Sequence, residues 1–236
     1  MEVAGLENMP DEPAVFISNH AKTNGPVSCE LYFPREKRIW GIGEMMHTDE
    51  IAEYAYKDFW SEKPIGVRWI YKILSYLIVP AAVVIFNTGP GIGVYHDKRI
   101  ISTIRNTVKA LTEGNDIIIF PEHNVYYNGI VYEFQDGFVD VARSYYRKTG
   151  KALAFVPMYI APKLKKMCIG KPTYFDPGAP AEEERKRVCN YLMEEITDIA
   201  YSLPEHTVIP YPNIPRRDYP LNIPKEVRTD EERTCC

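Results

Sequence analysis

What this sequence lacks narrows its chemistry before any motif is read. It has no surplus of basic charge: 28 Lys and Arg face 32 Asp and Glu, a formal net charge of -4, and the basic residues fall only in short pairs. A nucleic-acid footprint needs concentrated cations, so nucleic acid is excluded as a partner. Cysteine is scarce. The five thiols, Cys29, Cys168, Cys189, Cys235 and Cys236, form no C-x-x-C pair, which argues against a zinc knuckle and against a disulfide framework and reads as reduced thiols. The terminal Cys235-Cys236 has nothing polybasic before it, and lipidation there is not expected. No apolar core follows the acidic start "MEVAGLENMPDEP", so neither a secretory signal nor a transit peptide is expected, and the protein reads as cytoplasmic.

Cofactor motifs are missing as well. The chain has no G-x-x-x-x-G-K-[ST] phosphate loop, no G-x-S-x-G nucleophile elbow and no H-E-x-x-H pair. The glycines of "TGPGIGVYHD" lack the third position of G-x-G-x-x-G and lead into strand-like residues, so a dinucleotide site is rejected. Four histidines, His20, His47, His96 and His123, fall near expected strand ends. They raise a metal hydrolase as a reading, but without a local ligand pair no metal is expected.

What is present is an α/β pattern. With 236 residues, 45% of them hydrophobic, the chain suffices for one large domain with its own core. "PAVFISNH" and "KRIWGIGEMM" read as strands separated by a Gly-Pro turn, with too little chain between them for a helical crossover unless the turn is compact. Residues 48–59 have helical spacing. Residues 65–86, "IGVRWIYKILSYLIVPAAVVIF", are the most apolar stretch, but Arg68, Lys72 and Pro80 break the roughly 20 apolar residues that a membrane span needs. The favoured reading is a helix packed on the sheet and then a buried strand. Its alternative is a membrane-dipping element, for which Trp69, Tyr71 and Tyr76 are suitable residue types. "DKRIISTIRNTVKALTEGND" reads as a helix stopped by Gly114 and feeding the buried strand "DIIIFPEHN". A helix after Asp136, the strand "LAFVPMYIAP", a short strand near residues 167–174 and a charged helix over 181–201 complete a largely parallel sheet flanked by helices. From Pro204 the chain carries six prolines and no periodicity. Residues 1–203 therefore form one α/β domain, and 204–236 a tail that wraps the surface or stays loose.

Three strand ends carry unusual residues: Asn19-His20, His96-Asp97 and Pro121-Glu122-His123. In a parallel sheet these converge at one edge, where α/β proteins place their sites. Ser28 and Cys29 are nearby hydroxyl and thiol groups, although a buried thiol is usually inert.

The order of these motifs resembles the glycerolipid acyltransferase family, also called the lysophospholipid or 1-acylglycerol-3-phosphate acyltransferases. Its first block, N-H-x-x-x-x-D, is similar to the segment at Asn19-His20; its second, roughly I-P-V-x-R, to "IGVYHDKR"; its third, F-P-E-G-T-R, to "FPEHNV"; its fourth, an apolar strand with V-P, to "FVPMYIAP". The likeness runs over about residues 14–162. The resemblance implies an O-acyltransferase that moves a fatty acyl group from acyl-CoA or acyl carrier protein to a hydroxyl of a glycerolipid-type acceptor, without a cofactor. It implies that His20 is the base. His96, Lys98 and Arg99 would meet an acceptor phosphate, and Glu122 with His123 would form the acceptor-side wall. The departures are specific: Gly25 stands where the family aspartate should follow His20, His96 replaces the arginine of the second block, and His123 and Asn124 replace glycine and threonine in the third. Asn24 is then expected to orient the imidazole through its amide oxygen, with Glu30, Asp97 or Glu122 as carboxylates that restore the missing charge. The chain begins just before the first block, so the family's N-terminal membrane helices are not expected, and contact with a membrane would be peripheral. A catalytically silent member that binds lipid or a partner protein is the alternative.

Overall fold

The computed structural model describes residues 1–46, 51–53, 56–57, 64–77, 79, 91–95 and 97–224. Its centre is an eight-stranded sheet of β1 (Glu2–Ala4), β2 (Val15–Ser18), β3 (Lys37–Ile42), β4 (Ile92–Val94), β5 (Asp116–Ile119), β8 (Ala154–Ala161), β9 (Lys166–Ile169) and β10 (Thr173–Tyr174). The strand order is β1-β9-β8-β2-β5-β3-β4, with β10 pairing β8. β6 (Glu122–Tyr127) and β7 (Tyr132–Phe134) form a separate hairpin. β8, β2, β5, β3 and β4 run parallel, while β9 and β10 pair antiparallel to β8. The sheet is thus mixed and mostly parallel, flanked by helices in a single domain. The described helices include α1 (Asn24–Tyr32), α2 (Arg68–Leu77), α3 (Ile100–Thr112), α4 (Asp140–Thr149) and α5 (Ala181–Ser202).

Alternation on the central strands divides the core in two. Val15 and Ile17 of β2, Ile117 and Ile119 of β5 and Phe155 and Tyr159 of β8 face one side, where Val108 and Leu111 of α3, Val141 of α4 and Val188, Leu192 and Ile196 of α5 cover them. Phe16, Ile118, Val156 and Met158 face the other side and meet Cys29 of α1 and Phe33. All four residues of both β2 and β5 are buried, as strands covered on both faces must be. Asp116 opens β5. Its carboxylate accepts the Ala14 N–H at 2.9 Å and a two-point pairing from Arg35, which fixes the entry of β2 beside β5.

Three expectations are corrected here. The Gly-Pro pair is not a turn: Gly25 and Pro26 lie in the first turn of α1, where backbone N–H groups have no intrahelical partner and proline costs little. The nine residues of α1 make the crossover that looked too short, because β5 lies between β2 and β3. The third concerns α2, which is not packed on the sheet. Trp69, Ile70, Ile73, Leu74, Tyr76 and Leu77 are all exposed, and only Ser75 is buried. Of the expected helix at 48–59, residues 51–53 are helical, with Ile51 and Ala52 buried; residues 80–90, including the strand expected there, lie outside the described residues. Residues 204–224 run back over the body: Val208 N–H donates to the Pro220 carbonyl at 2.8 Å, and buried Asn222 donates to Ala200 O at 2.7 Å.

Candidate active site

Because β2, β5, β3 and β4 are parallel, their C-terminal ends deliver residues to one edge. His20 stands just beyond β2, and Phe120 and Glu122 just beyond β5. The turn over Asp97 to Arg99 follows β4, three strand spacings from β2 or about 14 Å. The position of His20 begins with Asn19. Its buried side chain accepts the Ile160 N–H at 2.7 Å and donates to the Ile160 carbonyl at 3.0 Å, so an amide imitates one more ladder residue between β2 and β8. The chain then turns sharply: Ala21 and Lys22 both have left-handed backbones, φ 45° and 56°, each costing about 1–2 kcal/mol for a non-glycine residue.

That turn brings the Lys22 carbonyl to 2.7 Å from His20 Nδ1. A carbonyl only accepts, so Nδ1 carries the proton and the neutral ring presents Nε2 as an acceptor. Nε2 has no hydrogen-bond partner among the described residues. Burial pushes the imidazole below its ordinary pKa, against the smaller opposite effect of the bond to Lys22, and the ring is therefore neutral at neutral pH. Phe120 and Tyr211 flank it, with ring centroids 5.3 and 5.7 Å away.

Glu122 is brought to His20, but not to its ring. One carboxylate oxygen accepts the His20 backbone N–H at 2.6 Å and the other accepts Tyr132 N–H at 2.8 Å, tying the histidine loop to the β6–β7 hairpin. Burial pushes this carboxyl up to about 7, against the two N–H bonds that favour its charge.

Asn24 does not orient the imidazole. Its amide donates to Ala21 O at 3.0 Å and so braces the left-handed turn, and the backbone of Lys22 occupies the place by the ring expected for Asn24. Gly25 shows why no carboxylate stands at that position. A Cβ there would lie 2.3 Å from the His20 carbonyl oxygen and 2.9 Å from Phe120, so this loop admits only glycine. Arg99 is engaged by Asp97 at 2.9 Å and Glu44 at 3.3 Å and lies 4.1 Å over the Tyr95 ring, while Lys98 is exposed. His123 is half-buried, one residue past Glu122 on β6; His47 and His96 lie outside the described residues. Cys29 is fully buried and its thiol is pushed well above the ordinary range by desolvation, which removes it as a nucleophile. Among the described residues no cluster of His, Cys, Asp and Glu could hold a metal ion.

Sequence reasoning missed Lys22, Tyr211 and Tyr132. Alanine and lysine give no sign of a left-handed turn, and Tyr211 comes from the proline-rich stretch that carried no periodic signal.

An acyltransferase family model matches residues 1–162, and the chain belongs to that family. Among solved structures, the 1-acyl-sn-glycerophosphate acyltransferase PlsC of Thermotoga maritima is similar, with 18% identity over 86% of this chain and 73% of that one and a TM-score of 0.48. Comparison with curated proteins gives no significant match.

Two outcomes follow from this geometry. Gly25→Asp should not rescue a triad; it should lower stability by about 1–3 kcal/mol from the forced contact with His20, measured by urea unfolding, and a fully stable variant would contradict the steric account. Glu122 has a folded-state pKa of about 7 against 4.5 for an ordinary glutamate. Its protonation therefore favours the fold, a contribution fully present below about 4.5 and lost as pH rises through about 7. Stability should fall by ~3 kcal/mol over that window. In Glu122→Gln the fall should be absent, at a constant cost of about 2 kcal/mol for the N–H left facing the amide NH2; an unchanged pH profile would refute the assignment.

Proposed function

We propose that the protein transfers a fatty acyl group from an acyl thioester, acyl-CoA or acyl carrier protein, to a hydroxyl of a glycerolipid-type acceptor, as a step of lipid biosynthesis at a membrane surface. The observation that carries this reading is the single orientation of His20 at the sheet edge, Nδ1 bound and Nε2 without a hydrogen-bond partner among the described residues, in a chain of the acyltransferase family. Nε2 takes the hydroxyl proton as the acceptor oxygen attacks the thioester carbonyl. Collapse of the tetrahedral adduct breaks the C–S bond, and the imidazolium returns the proton to the departing sulfur, so that an ester and a free thiol result. Glu122 holds the loop that presents the base, and no cofactor enters these steps. An acceptor phosphate would reach exposed Lys98 directly and would compete with Asp97 and Glu44 for Arg99.

The bound carbonyl also favours a second reading. A carbonyl orients the ring as an aspartate would, but supplies no charge for the imidazolium. In a serine-protease triad, Asn in place of Asp costs about 10⁴ in turnover, there chiefly through the wrong tautomer; here the tautomer is right and only the charge is missing. A silent member of the fold, binding lipid or a partner, is therefore the alternative. The assay incubates purified protein with acyl-CoA, then with acyl carrier protein thioester, and a panel of phosphorylated and uncharged lysolipids. Thiol release that falls to background in His20→Ala supports transfer; release that survives this substitution, or no release with any pair, favours the silent reading.

We further propose peripheral contact with the inner face of a membrane through α2. No described helix is long and apolar enough to cross one. The exposed side chains of α2, Trp69 at 63%, Ile73 at 54% and Leu77 at 70%, share one helical face, flanked by Arg68 and Lys72. At a net charge of -4, binding should come from apolar insertion and survive salt. Wild type should co-sediment with vesicles of zwitterionic phospholipid at low and high salt. The double change Trp69→Glu, Leu77→Glu should fold normally and stay in the supernatant; wild type in the supernatant at both salts would remove the contact.

A further inference from the structure

The family match ends at residue 162, yet the segment that covers the candidate base comes from beyond it. After α5 the chain is clamped at the base of a loop. The ring of buried His206 meets the Tyr159 hydroxyl at 2.8 Å, its backbone N–H donates to Asn222 Oδ1 at 2.7 Å, and Thr207 bridges Leu221. From this clamp, residues 209–219 extend as a strap across the end of β2. Tyr211 stands edge-on to the His20 imidazole at 5.7 Å, and Phe120 lies 5.3 Å from the same ring. Farther along, Tyr219 and Asn213 receive the Lys22 ammonium, at 2.7 Å on the Tyr219 hydroxyl and 3.2 Å on Asn213 Oδ1. The same ammonium lies 5.1 Å from the centroid of the Tyr219 ring.

Lys22 therefore acts in two directions: its carbonyl holds Nδ1 and its side chain holds the strap. A surface cover has no reason to grip the one residue whose backbone sets the imidazole. We propose that residues 209–219 are a working part of the site, in which Tyr211 and the clamp of Lys22 on Tyr219 and Asn213 position the His20 imidazole. The base is then assembled from three places, the end of β2, the β6–β7 hairpin and a strap about 190 residues downstream. These are positioning residues; the transfer they serve rests on the function proposed above.

The titratable groups around His20 are Lys22 on its own loop, Glu122 and Tyr132 on the hairpin, and Tyr211 and Tyr219 on the strap. Of these, Tyr211 shields the ring from water. Its removal should raise the imidazole's pKa toward the ordinary value, because burial is what holds it down.

The test uses the full chain and two readouts. NMR titration follows the His20 ring, identified by the signals lost in His20→Gln, and steady-state kinetics follow thiol release. Tyr211→Ala should raise the His20 pKa by about half a unit or more and move the acid limb of kcat/KM to higher pH. It should lower kcat about tenfold while KM for the thioester changes less than about twofold. Tyr211→Phe keeps the ring and should return the His20 titration to its wild-type position. Lys22→Met, which leaves the carbonyl in place, should broaden or shift the His20 signals in the same direction and guards against a Tyr211→Ala protein that does not fold. Folded variants with unchanged titration and profile would make the strap a cover and overturn the proposal. A protein with no transfer activity but a shifted His20 titration would refute the function while supporting the strap.

Discussion

The hydrogen bond from His20 Nδ1 to the Lys22 carbonyl, 2.7 Å long, is the constraint around which this end of the molecule is arranged. A backbone carbonyl can reach the ring of a residue two positions earlier only if the intervening chain reverses tightly, and two successive left-handed residues make that reversal. Such a turn persists where its surroundings over-determine it. Asn19 anchors it on β8, the Asn24 amide braces Ala21, and the Gly25 N–H closes onto the His20 carbonyl at 3.1 Å. The start of α1 is thus packed so closely on the turn that a side chain at Gly25 is excluded. The family pattern asks for a carboxylate at that position, and this loop has used its space for backbone.

The two partners of the histidine divide its electrostatics. The carbonyl fixes the tautomer and contributes a dipole, while the only carboxylate in contact with this residue among the described residues, Glu122, meets the main chain. Glu122 is itself costly to bury as an anion, and two N–H donors are its compensation. The arrangement favours precise orientation over charge: a neutral imidazole with a bound Nδ1 is a competent acceptor, but an imidazolium formed here would be less well stabilised than beside an aspartate. In the proposed transfer this would make turnover slow, and an aromatic setting of Phe120 and Tyr211 adds shielding without adding charge.

Much of the architecture was legible in local sequence. The buried runs around Val15–Ser18 and Asp116–Ile119, the helix stopped at Gly114 and the amphipathic helix of 181–201 announced themselves through period and punctuation. What escaped were features decided by distant partners. β1 is three residues whose only reason to be a strand is β9, and the Gly-Pro pair gave a turn signal that a first helical turn satisfies equally. The apolar α2 reads as core because composition does not say which neighbour takes a face, and the body leaves that face exposed. Within the site, His20 and Glu122 could be read from strand ends, since a parallel sheet gathers such residues at one edge. Lys22 and Tyr211 could not be read at all. One acts through its backbone, and the other lies in a segment where proline erases periodicity.

The tautomer of His20 decides whether the Lys22 carbonyl holds the ring. Two-dimensional long-range ¹H–¹⁵N correlation on uniformly labelled protein, recorded about two pH units above the ring's titration, reports which nitrogen carries the proton. Nδ1 should appear at the protonated shift and Nε2 at the unprotonated one, with the pattern absent from His20→Gln. A His20 ring protonated on Nε2 would break the bond to the Lys22 carbonyl and contradict the account.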